Sequence, residues 1–507
     1  MSSDRDWLES LKLLGMKPGL ETTYAMLSRL GMPQMQFPSI HVAGSNGKGS
    51  TSALLANTYT LAGQTTGLFT SPHLCFVEER IRIDGRPISQ KKFDLALGLV
   101  RNALVEGHTL EVTFFEATFL VAMVIFEREC IDRAVIETGL GGRLDATRCC
   151  AADACVLTEI ALEHTEILGA DLATIAKEKA AIARPGVPLI ARWPYDADVR
   201  LAIESAVSHR KNGYWWRTDR LSLLGFDEAN LPFRSLPEGI DFDGSPSMRE
   251  DTLLLAIAVL QVMDEGNVCQ YVFDAAERTV WPGRVQIIEG PHNTQLLLDC
   301  AHNPSGMTRL VDDLLHRADL AEERDSEFTP EVLLLGATKQ SDLFAFLHPV
   351  IELVAHIGVQ HIIIAEPKTG RSQAIRAERI KESLLQQNSD LIIEIVRDPG
   401  DALDRASQIA NRLAEAITEP IPLVKIMPKS TPDDDLEPKG FVWAFGSLYL
   451  IGDIFRSMGQ ANHASMDTLL SNEMGALIGK KRNDKRRPEN STKNQTENDD
   501  GKEDEEE

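Results

Sequence analysis

The sequence predicts an α/β protein of two successive units, each built on a mainly parallel sheet. Three observations carry that expectation. Short apolar runs alternate with stretches of helical period from Ser39 to Thr158, a second such series runs from Leu296 to Ala444, and residues 214–247 between them are Pro-, Gly- and aromatic-rich without periodicity. In order, Ser39-Ile-His-Val-Ala43 reads as a buried strand that runs into Gly44-Ser-Asn-Gly-Lys-Gly-Ser50, and the chain from Ser50 to about Leu61 reads as a helix. A helix is expected around Glu116 to Glu129, then strands over 134–137 and 155–158. Residues 214–247 read as a loop-rich insertion or a small sheet, before helical period resumes over 250–263. The later strands are expected over 296–299, 332–335, 361–364, 391–395 and 441–444. The division falls near residue 289, giving units over 1–288 and 289–456 and a C-terminal extension over 457–507.

Composition narrows the class. The 507 residues carry 52 Lys+Arg against 76 Asp+Glu, a formal charge of -24, with 43% hydrophobic residues, so the chain can bury more than one core. The longest uninterrupted apolar runs, 119–126 among them, are far short of the ~18 residues a bilayer span needs. No membrane partner is expected, and the polar, acidic N-terminus lacks a signal-peptide pattern, which points to the cytoplasm. The seven cysteines are odd in number and form no C-x-x-C pair, as reduced thiols do. A net acidic chain repels a polyanion, so no nucleic-acid partner is expected. From Lys480 to Glu507 the chain is almost wholly polar and charged, a composition that cannot offset its ordering entropy by burial and predicts a disordered tail. The basic run 480–487 reads either as a solvated tail or as a nuclear or anion-docking signal.

The segment Gly44-Ser45-Asn46-Gly47-Lys48-Gly49-Ser50-Thr51 is the most informative. A strand, a glycine-rich turn and a helix start present backbone N–H groups and a positive dipole end to an anion, and a Lys neutralises phosphate oxygens. Ser50 or Thr51 adds a hydroxyl. The usual G-x-x-x-x-G-K-[ST] spacing is not met, because Val42 stands where the first Gly belongs and Gly49 follows the Lys. Three further segments add candidates: Thr70-Ser-Pro-His-Leu74 offers the hydroxyl of Ser71, Glu137 stands at the end of an expected strand before Thr138-Gly-Leu-Gly-Gly142, and Glu163-His164 follows the strand through Thr158. Carboxyl ends of parallel strands line the ligand crevice, so Glu137 and His164 are expected near the phosphate loop, where hydroxyl, carboxylate and imidazole make a plausible Mg²⁺ set.

These motifs, with Glu79-Arg-Ile-Arg82, Phe114-Phe-Glu116, Glu137 to Thr147, Glu163 to Gly169, Ile175 to Ala180, Trp281-Pro-Gly-Arg284 and Leu298 to Pro304, occur in an order that resembles the folylpolyglutamate synthase/dihydrofolate synthase family of the Mur ligases. The resemblance spans about residues 15 to 455. It implies a P-loop-type central ATPase domain with a mainly parallel sheet, followed by a Rossmann-like C-terminal α/β domain that binds the amino acid. It implies a monomeric ligase that uses ATP and two Mg²⁺ ions to join L-glutamate to dihydropteroate or to a reduced folate. By this likeness Gly44 to Thr51 hold the ATP phosphates, with Lys48 on the transferring one, and Arg284 and Asp299 contact the nucleotide. Ser71, Glu137 and His164 match metal ligands, and Lys179 matches a lysine whose carbamylation holds a second Mg²⁺. His302 lies in the interdomain motif as a catalytic candidate, and Phe115, Glu116 and Leu144 match the pterin-side pocket. Asp251 stands where the family usually has an Asn near the adenine, Glu163 replaces an Asp, and Ala181 a Gly. Asn46 stands where eukaryotic tail-extending members carry Lys, which leans toward first-glutamate addition or a bifunctional enzyme. Another Mur-type ligase with a different acid, or a non-catalytic ATP-binding regulator, are the alternatives. The hinge is expected at Trp281-Pro-Gly-Arg284.

Overall fold

Runs of buried β-branched and apolar residues gather the chain into two sheets. The computed structural model describes residues 3–461 other than 16, 18, 106–109, 195, 208–212, 217–220, 224–247, 324–327, 371 and 417–439. The first sheet comprises β1 (Ser39–Ala43), β2 (Thr66–Phe69), β3 (Ile81–Ile83), β4 (Arg86–Pro87), β5 (Arg133–Glu137), β6 (Ala152–Leu157), β7 (Leu189–Arg192), β8 (Gly213–Trp216) and β9 (Leu221–Leu223). Its spatial order is β4-β3-β2-β5-β1-β6-β7-β8-β9. β1 lies between β5 and β6, parallel to both, and all five of its residues are buried. A strand covered by helices on both faces is usually apolar throughout; β1 also buries Ser39 and His41, whose Nε2 bonds to Thr147 Oγ1 at 2.9 Å.

One face packs Ile40, Val42, Val135 and Val156 under the helices Lys48–Leu61 and Met248–Val262. On the other, Phe69 and Ile136 meet the helix Phe114–Arg128, while Cys155, Leu157 and Leu189 meet Leu172–Ala180. β2 escapes sequence reading because Gly67 breaks its apolar run. The glycine is required: a Cβ there would stand 2.7 Å from Ile131 and 2.9 Å from Phe126.

The second sheet comprises β10 (Gln286–Glu289), β11 (Gln295–Leu298), β12 (Val332–Leu335), β13 (His361–Ile364), β14 (Ile392–Ile395) and β15 (Phe441–Phe445), in the order β10-β11-β15-β12-β13-β14. All its pairings are parallel except β10 with β11. The expected division at 288/289 falls inside β10. Within 214–247 the structure describes only β8, which pairs parallel with β7, and the edge strand β9, antiparallel to β8; the rest of that stretch, and the charged tail from 480, lie outside the described residues. Among the described residues no helix is long and apolar enough to cross a membrane.

Candidate active site

A cleft of about 1290 Å³ opens between the sheets. Its lining comes from loops after β1, β2, β5 and β6 of the first unit and after β11, β12, β13 and β15 of the second. Both sheets thus aim their carboxyl ends at one space, where parallel α/β proteins bind ligands.

The loop after β1 is shaped by two glycines. Gly44 has φ 146° and Gly47, which precedes the helix Lys48–Leu61, has φ 82°. A side chain at Gly44 is excluded, since its Cβ would stand 1.8 Å from Thr158 Oγ1. That hydroxyl instead donates to Asn46 O at 2.7 Å. Ser45 Oγ donates to Ala161 O and accepts from Ala161 N, each at 3.0 Å. Lys48 Nζ donates to Ser45 O at 2.9 Å, so the ammonium folds over its own loop at the cleft wall. The positive end of a 14-residue helix faces the cleft, an anion site by backbone geometry alone. Ser45 to Ser50 line it, while Gly44 lies beneath and Thr51, 1% exposed, points into the helix packing. Of the two candidate hydroxyls, Ser50 is the one at the cleft.

Glu137 ends β5 only 4% exposed, its Oε2 accepting from Ser71 N at 3.1 Å. Burial pushes its carboxyl up to about 7, against the pull of Lys48, Arg284 and Arg80. A buried carboxylate so poorly compensated suits a cation. Ser71 and His164 line the same cleft, and His164 adopts φ 47° before the short helix Thr165–Leu168. Burial holds its imidazole below the ordinary value, and neighbouring Glu163 opposes this. Among the described residues no three His, Cys, Asp or Glu side chains form a ready-made metal cluster. A hydroxyl, a carboxylate and an imidazole fit a cation that takes its remaining oxygens from phosphate and water.

Lys179, on the helix Leu172–Ala180, is 1% exposed. Its Nζ donates to Glu163 Oε1 at 2.6 Å and to Gly44 O at 2.8 Å, tying the metal-side loop to the root of the phosphate loop. Burial lowers the Lys179 ammonium, with Glu163 holding against it. For Glu163 burial acts upward, yet Lys48 and Lys179 draw the carboxyl below its usual range, so the pair is ionised.

The second unit brings Arg284, Asp299 and His302 to the opposite wall. Asp299 follows β11 and accepts from Val285 N at 2.9 Å and Ala301 N at 2.7 Å; burial raises its carboxyl, and Arg284 opposes. His302 Nδ1 donates to Cys300 O at 2.9 Å, which leaves Nε2 as the acceptor, and burial together with Arg284 keeps the ring neutral.

On the side expected for the pterin, Phe115, Glu116 and Leu144 all line the cleft. Glu116 is also a brace. Its Oε2 accepts from Thr113 N and Oγ1, both at 2.8 Å, and its Oε1 from Thr23 Oγ1 at 2.9 Å, closing a capping box on the helix Phe114–Arg128. Asp251, the remaining nucleotide candidate, is held by ion pairs. It does not line the cleft but pairs with Arg192 at 2.6 Å and Arg309 at 3.2 Å, because two guanidiniums outcompete a neutral partner for a carboxylate. The structure adds Lys12, Arg80 and Arg456 to the lining. Arg80 donates from Nε to His73 Nδ1 at 2.9 Å and lies 5.3 Å from the Phe114 ring. Its segment stands out in the sequence, but no spacing assigns it to the cleft.

Fold and cleft together define a two-domain α/β protein whose glycine-rich, phosphate-type loop opens on a cleft shared by both sheets. No family model matches the chain. The dihydrofolate synthase/folylpolyglutamate synthase of Mycobacterium tuberculosis is 30% identical over 454 residues, which cover 79% of this chain and 88% of that protein. A probable bifunctional folylpolyglutamate synthase/dihydropteroate synthase of Haloferax volcanii is 32% identical over 333 residues; the match takes in 60% of this chain and spans only 38% of the relative's length. Among solved structures, the bifunctional folylpolyglutamate synthase/dihydrofolate synthase of Yersinia pestis complexed with AMPPNP and Mn ion matches with TM-score 0.67 at 23% identity, over 90% of this chain and 98% of that one. Escherichia coli FolC in complex with DHPP and ADP matches with TM-score 0.66 over the same shares, also at 23% identity. These structural likenesses show the fold. The chain belongs to the dihydrofolate synthase/folylpolyglutamate synthase family.

Proposed function

We propose that this protein uses ATP to ligate L-glutamate to dihydropteroate, to the γ-carboxylate of reduced folates, or to both. The observation that carries the reading is the single cleft in which a phosphate loop with Lys48, the buried Glu137 and the His302–Asp299 wall face one another. A carboxylate is a poor acyl donor, so its oxygen takes the γ-phosphoryl group of ATP, and the amine of glutamate then attacks the acyl carbon and expels phosphate. Lys48 and the backbone N–H groups from Asn46 to Ser50 hold the transferring phosphoryl group. Ser71, Glu137 and His164 are the residues that would hold one magnesium, and Lys179, once carbamylated, would help hold a second. When bound, the two ions offset the charge of phosphate and carboxylate that repel each other in water. Arg284 and Asp299 contact the nucleotide. His302, neutral with Nε2 open as an acceptor, is suited to take a proton from the incoming amine.

Phe115, Glu116 and Leu144 face the pterin, with Glu116 holding the helix start in place. Asn46 favours first-glutamate addition or both additions over extension alone. Both walls of the cleft come from one chain, which supports a monomer, and ATP with glutamate as substrates supports a cytoplasmic location. The test is phosphate release by the purified protein with ATP, Mg²⁺ and L-glutamate, run with dihydropteroate, with tetrahydrofolate and with no acceptor, with products weighed by mass spectrometry. Acceptor-dependent release with one glutamate added is the expected result. Release stimulated by neither pterin would leave a different acid substrate or a regulatory nucleotide binder.

A further inference from the structure

Outside the cleft wall, a cluster of four charges joins the two units where the helix Pro304–Glu322 meets the phosphate loop. Glu159, Arg192 and Asp251 come from the first unit and Arg309 from the second unit's helix. Arg309 Nη2 lies 3.2 Å from Asp251 Oδ2 and its Nη1 lies 3.8 Å from Glu159 Oε2; Arg192 spans the same two carboxylates at 2.6 and 4.0 Å. All four side chains are largely buried. Glu159 is also bound to the phosphate loop: its carbonyl accepts from Ser45 N at 2.6 Å and its carboxylate from Asn46 Nδ2 at 3.4 Å. From the second unit, Ser305 Oγ donates to Glu159 Oε1 at 2.9 Å and Asn303 Nδ2 to Asn46 Oδ1 at 2.9 Å.

The charges do not balance within the first unit. Two carboxylates face one guanidinium there, and Arg309 supplies the missing cation only when the second unit is docked. An uncompensated carboxylate in contact with Asn46 repels a polyphosphate and leaves the loop held from one side only. We propose that Glu159 and Arg309 are positioning residues that make the phosphate loop's affinity for a nucleoside triphosphate depend on docking of the second unit. The inference rests on the reading of Gly44 to Thr51 as a triphosphate site, not on which acid is ligated.

The experiment measures the Kd of AMPPNP with Mg²⁺ for the full-length protein, alongside its thermal midpoint. Arg309→Met is expected to weaken binding at least about tenfold, because it leaves a largely buried carboxylate unpaired beside the loop. Arg309→Lys restores most of it. The double variant Glu159→Gln/Arg309→Met binds more tightly than Arg309→Met alone, since the uncompensated carboxylate has gone; a purely structural brace would make the double variant the weaker. If Arg309→Met does not fold, Arg309→Gln keeps hydrogen-bonding capacity without charge and carries the same expectation. Wild-type Kd in folded Arg309→Met or Arg309→Gln, or a double variant no tighter than Arg309→Met alone, overturns the proposal. Absence of AMPPNP binding in the wild type would overturn the triphosphate reading, and binding without ligation would overturn only the ligase reading.

Discussion

Lys48 and Glu137 occupy the same wall and make opposite predictions about stability. The Lys48 ammonium rests on Ser45 O at the cleft and contributes little to the core, so Lys48→Ala should fold normally and lose ligation by about 10²–10³-fold, the loss expected when a group aimed at developing charge is removed. Full turnover in a folded variant would sink the assignment. For Glu137, burial favours the neutral acid, so the folded chain holds more protons than the unfolded chain between its ordinary 4.5 and about 7. Stability from this group is present below that window and falls as pH rises through it, a loss of about 3 kcal/mol by pH 8. Glu137→Gln should therefore raise the thermal midpoint at pH 8, leave it close to wild type at pH 5, and weaken the response of the midpoint to added Mg²⁺. An equal shift at both pH values would refute burial as the cause. Residues such as Lys48, Glu137 and His164 were legible in sequence because each follows an apolar strand. The bracing role of Glu116 and the pairing of Asp251 were not, because their partners Thr23 and Arg309 stand 93 and 58 positions away.

Secondary elements matter here chiefly through how they end. β1 delivers a chain whose first loop residue must have no side chain, and the helix behind it starts at Lys48, two residues earlier than its apolar period announces. Gly44→Ala forces a methyl group into Thr158 and a left-handed φ on alanine. It should destabilise the protein by about 2–4 kcal/mol through overpacking and strain, and lower triphosphate affinity even under conditions where the variant stays folded. A stable variant with unchanged AMPPNP binding would show that the loop tolerates another path. The helix Phe114–Arg128 likewise starts two residues before the expected Glu116, at a capping box that the Thr113-x-x-Glu116 spacing ahead of an apolar run already signals. Uniformly apolar strands such as Val332–Leu335 were easy to place. Short or glycine-broken ones such as β2 and β10 were not, because their burial comes from neighbours remote in sequence rather than from a local pattern.

At the scale of the whole molecule, the second unit reaches the first unit's site loops on two sides. Opposite the charge cluster, Arg456 of the helix Leu448–Ser457 donates to Leu74 O at 2.9 Å and Cys75 O at 3.3 Å, and a Cβ on Gly452 would stand 2.5 Å from Leu74 O. Gly452→Val should wedge this contact apart, leave each unit folded, and cut ligation by at least about tenfold through misalignment of Ser71 and the opposite wall. Small-angle scattering with AMPPNP should show a more open particle; unchanged turnover and dimensions would mean the contact is dispensable. Two α/β units were readable from the alternation of strands and helices, whereas the strand order of the second sheet was not, since parallel runs of similar composition can be ordered in several ways. That order has a consequence for biosynthesis. Among the described strands β15 comes last in sequence, yet it lies between β11 and β12, hydrogen-bonded to both. While the protein is being made, the first sheet has all its strands long before synthesis ends, but the second must wait for residues 441–445 with two inner edges bare. Unpaired edges of this kind are where chains stick to one another. A transcript that stops shortly before Phe441 would release a protein with an intact phosphate loop and an aggregation-prone second half, because β11 and β12 would lack the strand that joins them.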